Sequence, residues 1–348
     1  MLASVAVMRT PTRTWDARPP TSTAIPPFPQ RVPWPAVLVF FALASGLAWL
    51  VTLPLWLDGR GLANPLAAVL LPLMMFTPGI AALVAVMVQR PRPRPAAAYL
   101  GLWPLRPLKR TIWITVFGIL GSALLVIGGV FLAAALGLVQ LDLVGFSGFA
   151  QVLDATSPVP MDVPVHLVVL LQVLTIPFAA LFNGIFAFGE ELGWRGWLLP
   201  SLRPLGTWPA LLLTGAVWGF WHSPIILLGH NFAQPNLLGV TMMVTGCMFY
   251  GVLIGWLRLR TASVWPAVFA HGAFNAAAGF LILVAAAGSS ADPVAVGPLG
   301  WVTWIVMAAA IVVLALTGQF RIQPSLQRRA PGPVSQHAPA GAPPTATP

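Results

Sequence analysis

Long apolar runs alternate with short connections bearing arginine and proline along nearly the whole chain. A spanning helix needs about 20 predominantly apolar residues. Eight runs approach or exceed that length: 35–57, 65–88, 112–138, about 165–202, 208–228, 237–257, 264–287 and 299–318. The pattern predicts an all-α membrane protein, a polytopic bundle of about eight transmembrane helices. The fourth run is long for a single crossing, and Pro177 is where it is expected to divide into an outer entry piece and a main helix. Residues 1–33 carry arginines and prolines without a continuous apolar stretch. They read as a disordered cytoplasmic tail rather than a cleaved signal peptide. Residues 321–348, rich in Pro and Ala, read as a second disordered tail, which leaves 34–320 as the bundle.

Composition agrees: 58% of residues are apolar and 7% charged, against roughly 25% charged in soluble domains. The net charge of +10 would suit a nucleic-acid partner. However, Lys109 is the only lysine, and the arginines lie between the apolar runs, where they report topology. No nucleic-acid partner is expected. With the N-terminus in the cytoplasm and eight crossings, every one of the 18 basic residues except Arg60 falls on the cytoplasmic side. Asp58, Asp142, Asp154, Asp162 and Asp292 fall in the outer connections. Both termini are therefore expected in the cytoplasm. The arginine-rich, lysine-poor chain has no organelle signal and suggests a multi-pass protein of a bacterial plasma (inner) membrane. The single cysteine, Cys247, allows no internal disulfide.

Ionisable groups inside a membrane are expensive and usually face the bundle interior or a wet cavity. Those expected here are Glu190, Glu191, Arg195, His222, His271 and Asn275, with His166 and His230 near outer ends. Glu190 and Glu191 are the only glutamates in the chain. Glu191 and Arg195 stand four residues apart and can pair on one helix face. Glu190 points roughly 100° away, so it is the freer carboxylate and the sharper candidate for a general base. The plainer reading of the pair is a structural ion bridge that makes burial tolerable. His222 ends the run VWGFWH, where a lone histidine is more often a bonded core residue than a catalyst. His271 and Asn275 share one helix face and can stack two donors for an oxyanion. An interhelical polar clasp would use the same residues. At about 1.5 Å per residue, Glu190, His222 and Asn275 come to the middle of the bilayer, with His271 one turn nearer the cytoplasm.

Three spacings on three separate runs resemble a known family. Glu190-Glu191-Leu-Gly-Trp-Arg195 matches EExxxR, Trp218-Gly-Phe-Trp-His222 resembles FxxxH with tryptophan for phenylalanine, and His271-Gly-Ala-Phe-Asn275 matches HxxxN. These are the motifs of the CAAX protease and bacteriocin-processing family (CPBP, or Abi) of intramembrane proteases, and the resemblance covers about 165–290. It implies an endopeptidase opening towards the cytoplasm. By that resemblance Glu190 with His222 would activate a water, and His271 with Asn275 would form the oxyanion hole. Glu191 and Arg195 would position the helix and tune Glu190, while Trp218 would touch only local packing. The substrate would be a membrane-bound or lipidated (CAAX-like) protein or peptide, or a bacteriocin-like leader, met within the membrane lipid. Members are often called metalloproteases, and Glu190, His222 and His271 could supply three zinc ligands. No HExxH helix exists, and a metal-free assignment uses every group, so no obligatory metal is expected. Two other readings use the same residues. One is a non-catalytic immunity or scaffold protein; the other is a small-molecule transporter, which the absence of inverted repeats counts against.

Overall fold

The computed structural model describes residues 29–93, 95–105, 107–156, 163–321 and 323. Of the tails expected at 1–33 and 321–348, residues 1–28, 322 and 324–348 lie outside the described residues, as do Arg94, Arg106 and Asp162. Among the described residues the chain is helical, with one isolated bridge between Leu141 and Ala285. Seven stretches are long and apolar enough to cross a membrane: Trp34–Leu57, Ala67–Val88, Leu108–Ala135, Val165–Leu205, Leu237–Thr261, Trp265–Val284 and Pro293–Leu316. The chain is a multi-pass membrane protein.

Helix α1 runs Trp34–Leu57. The second stretch is two helices, α2 (Ala67–Met74) and α3 (Thr77–Val88). The step between them has a local cause: Pro78 has no N–H to give the Met74 carbonyl. Then follow α4 (Leu108–Ala135), the short α5 (Ser147–Thr156) and α6 (Val165–Glu191). The expected division at Pro177 does not occur. Helix α6 runs through that proline and continues as a π-helix, Leu192–Leu198, and a last turn, Leu199–Leu202. A proline removes one intrahelical bond, and neighbouring groups in a membrane bundle absorb that loss. Every residue from Gly189 to Leu202 is buried, so the stretch after Arg195 belongs to the same helix, as its apolar character predicted.

The fifth predicted span differs more. Helix α7 covers Thr207–Trp221, only 15 residues, then breaks at His222 before a single turn, Ser223–Ile226. Pro224 cannot donate to the Phe220 carbonyl, and the Ser223 hydroxyl takes that acceptor instead. Even so, this piece joins the two ends of the bundle. At one end Arg203 bonds both Thr207 and Gln323, each at 2.8 Å. At the other, the Trp56 indole donates to the Pro224 carbonyl at 3.1 Å. The other end contacts follow the same parity: Tyr99 meets Ser201 at 2.7 Å, and Gln140 N meets the Ser289 hydroxyl at 3.0 Å. The alternation drawn from the arginines therefore holds, whichever end faces the cytoplasm.

Helices α8 (Leu237–Thr261), α9 (Trp265–Ala277), α10 (Phe280–Val284) and α11 (Trp301–Leu316) complete the bundle. Helix α9 packs between α4 and α6, and α7 lies against α8. Two glycine pairs spaced four apart permit close approach, one where the end of α6 meets the start of α3 and one where α7 meets α8. A Cβ on Gly189 would sit 2.7 Å from the Met75 carbonyl oxygen, and one on Gly193 would sit 2.7 Å from that of Pro78. On α7, a Cβ on Gly215 would sit 2.7 Å from the Cys247 carbonyl, and one on Gly219 would sit 2.8 Å from that of Met243. The two glutamates lie between the first pair and Trp218 between the second.

Candidate active site

The end of α6, the end of α7 and the middle of α9 converge. Glu191 is fully buried, and its Oε1 accepts from Arg195 Nη1 at 2.8 Å and from His271 Nδ1 at 2.9 Å. Arg195, also fully buried, has no hydrogen-bond partner at Nε or Nη2 among the described residues. One face of its guanidinium instead covers the Trp218 ring, 4.3 Å from the centroid, a cation–π contact that partly offsets desolvation. Its carbonyl, inside the π-helix, accepts from Arg258 Nε at 3.0 Å. Arg258 also donates to the Tyr99 carbonyl at 2.8 Å. Arg258 was expected among the charges flanking the membrane; it is buried and ties the π-helix to the 95–102 connection.

Glu190 turns the other way, as helical geometry requires. Its Oε2 accepts from the Trp218 indole N–H at 2.6 Å, a short bond of the charge-assisted kind. The same tryptophan meets the His271 ring edge-on with centroids 5.2 Å apart. It orients His222 through its backbone: the imidazole Nδ1 donates to the Trp218 carbonyl at 2.9 Å. That carbonyl is available because the helix tightens at its end, sending His222 N to the Gly219 carbonyl, at 3.2 Å, instead. With Nδ1 of both imidazoles committed, each ring has Nε2 left. Glu190 Oε1 is likewise left without a hydrogen-bond partner among the described residues. Glu190, His222 and His271, carried by three helices, thus all contact Trp218. Tyr250 braces the base of the cluster, donating to the Ala270 carbonyl at 2.9 Å and meeting the Ser122 hydroxyl at 3.0 Å.

Residues 169–277 match the family model described as type II CAAX prenyl endopeptidase, Rce1-like. The core of the chain is CAAX-endopeptidase-like. All three motifs fall inside the matched segment, which lies within the 165–290 read from the sequence. Comparison with curated proteins returned no match.

Within this CAAX-endopeptidase-like segment the sequence-predicted residues do not all sit as expected. Glu190, Glu191, Arg195, Trp218, His222 and His271 come together; Asn275 does not join their hydrogen bonds. It is exposed, one turn beyond His271, and its side chain has no partner among the described residues. Glu191 and Arg195 were expected to position the helix and tune Glu190; the bond from Glu191 to His271 is an addition to that expectation. Trp218 was expected only to pack, yet it is the donor to Glu190. Nor do Glu190, His222 and His271 form a three-ligand set. Among the described residues no group of three or more His, Cys, Asp or Glu could hold a metal ion, so no step is derived through zinc. Sequence reading missed Tyr250, Arg258 and Asn183, whose Nδ2 reaches the Gly272 carbonyl at 3.4 Å. Their signal was present as polar side chains in apolar runs. The glycine spacings were legible too.

Proposed function

We propose that this chain is an intramembrane endopeptidase whose general base is Glu190. The division of the two glutamates carries this reading. Glu191 is paired through Oε1 with Arg195 and His271, and its Oε2 is sealed without a partner among the described residues, whereas Glu190 is held only through Oε2, by the Trp218 indole that also meets the His222 and His271 rings. A water there gives one proton to Glu190 as its oxygen attacks the scissile carbonyl carbon. His222 has its proton on Nδ1, so Nε2 accepts the second O–H of that water and aims its lone pair. The carbonyl π bond opens onto oxygen, and the oxyanion forms towards α9. His271, held through Nδ1 by Glu191, turns Nε2 towards that oxygen. Asn275, on the same face one turn on, supplies the second donor once a peptide lies along α9. When the tetrahedral centre collapses, the C–N bond breaks and the proton on Glu190 passes to the leaving amine. Atoms and charge balance in these steps without a metal.

The substrate class is a membrane-associated or lipidated peptide, with a prenylated CAAX-type peptide as the first to try. The setting we propose is a bacterial plasma membrane. The test uses full-length protein in liposomes with a quenched farnesylated peptide. Glu190→Gln is expected to lower kcat by about 10²- to 10⁴-fold, with the wild type fully active after exhaustive chelation. Cleavage that persists in Glu190→Gln overturns the assignment of the base. Loss on chelation that zinc restores overturns the metal-free mechanism.

A further inference from the structure

The partner of Glu190 is a side chain whose motif position calls only for an aromatic ring. A phenylalanine at 218 would fill the same space beside Arg195 and His271 but could donate nothing. The indole N–H instead reaches Glu190 Oε2 at 2.6 Å, in a site where the carboxylate has no other protein partner among the described residues. Trp218 itself cannot slide. Gly215 and Gly219 seat its helix directly on the α8 backbone, the Arg195 guanidinium covers its ring at 4.3 Å, and the tilted Tyr250 ring lies with centroids 6.2 Å away. Because the indole is fixed, one carboxylate oxygen is fixed, and the remaining oxygen has a defined direction. A free glutamate in the same place would sample several rotamers, only some of which face the water.

We propose that Trp218 is the positioning residue for Glu190: its N–H holds Oε2 so that Oε1 alone faces the reacting water. The two roles are divided within one residue, because its carbonyl sets the tautomer of His222 while its side chain aims the base. Trp218 touches neither water nor substrate, so its loss acts on kcat and leaves KM alone. This inference rests on the reading of Glu190 as the base.

Two replacements isolate the N–H. Trp218→Phe removes it together with half the ring, whereas 3-benzothienylalanine, incorporated at position 218, keeps the bicyclic shape and replaces N–H by sulfur. Both are expected to lower kcat by about 10- to 100-fold, the range of one hydrogen bond to a charged group, with KM within twofold of wild type. Full kcat in the benzothienyl protein overturns the proposal. A KM rise with kcat unchanged overturns it equally, because Trp218 would then be part of the substrate surface. An activity-free measurement separates this from the reading beneath it. In ¹⁵N-indole-labelled protein, the resonance that Trp218→Phe deletes is expected to lie downfield and to move upfield in Glu190→Gln. An indole signal unchanged by Glu190→Gln means the bond does not form, and the proposal fails. A signal that moves while Glu190→Gln still cleaves leaves the bond standing and removes Glu190 as base, so Trp218 no longer positions a catalytic group and the proposal falls with that reading.

Discussion

Adjacent residues on a helix point about 100° apart, and that angle separates the fates of Glu190 and Glu191. Glu191 faces α9 and meets a cation and an imidazole; Glu190 faces α7 and meets one indole. Sealing Glu191 and Arg195 is tolerable only because each has the other. Arg195→Met is accordingly expected to destabilise the protein by about 3–5 kcal/mol, measured by unfolding in detergent. Adding Glu191→Gln should recover part of that loss, since the stranded charge is gone. An Arg195→Met protein as stable as wild type would mean the pair contributes nothing. The sequence showed that this pair could form, because i and i+4 is enough. It did not show that His271 would join, because that bond spans 80 residues and depends on which helix lies beside α6.

Helices deliver these side chains by close approach rather than by large interdigitating residues. The glycines flanking the glutamates and those flanking Trp218 let backbone meet backbone, as in small-xxx-small crossings. A methyl group at Gly189 would press on the Met75 carbonyl and on Phe76 Cα at 2.8 Å. Gly189→Ala is expected to lower stability by about 1–3 kcal/mol, read as a fall in Tm. Gly46→Ala, in α1 where nothing lies within 4 Å, should instead be neutral or stabilising by roughly 0.5–1 kcal/mol. Equal effects at the two positions would refute the close-approach account. The broken end of α7 belongs to the same scale. Its proline was visible in the sequence, but apolar length alone made 208–228 look like one continuous span. The break is local hydrogen-bond chemistry, and it is what turns the His222 ring towards the Trp218 carbonyl.

Over the whole molecule, the pairing of ends agrees with eight traversals although seven stretches qualify by length. From the distribution of arginine, the end holding Gln89 and Arg203 is expected to face the cytoplasm. Single cysteines test it: Ala63→Cys should react with a membrane-impermeant thiol reagent in intact cells, and Lys109→Cys only after permeabilisation. The reverse pattern would invert the protein in the membrane. Native Cys247 is buried and serves as the silent background.

The sequence by itself determined the membrane class, the alternation of ends and the three motifs. Apolar length, charge asymmetry and fixed spacing are properties of the chain in order. Only the tertiary structure decided that Glu191 reaches His271, that Asn275 stays exposed, and that Trp218 is a donor. Each of these depends on which helices become neighbours and on where one N–H points after they pack, and no spacing along the chain contains that direction.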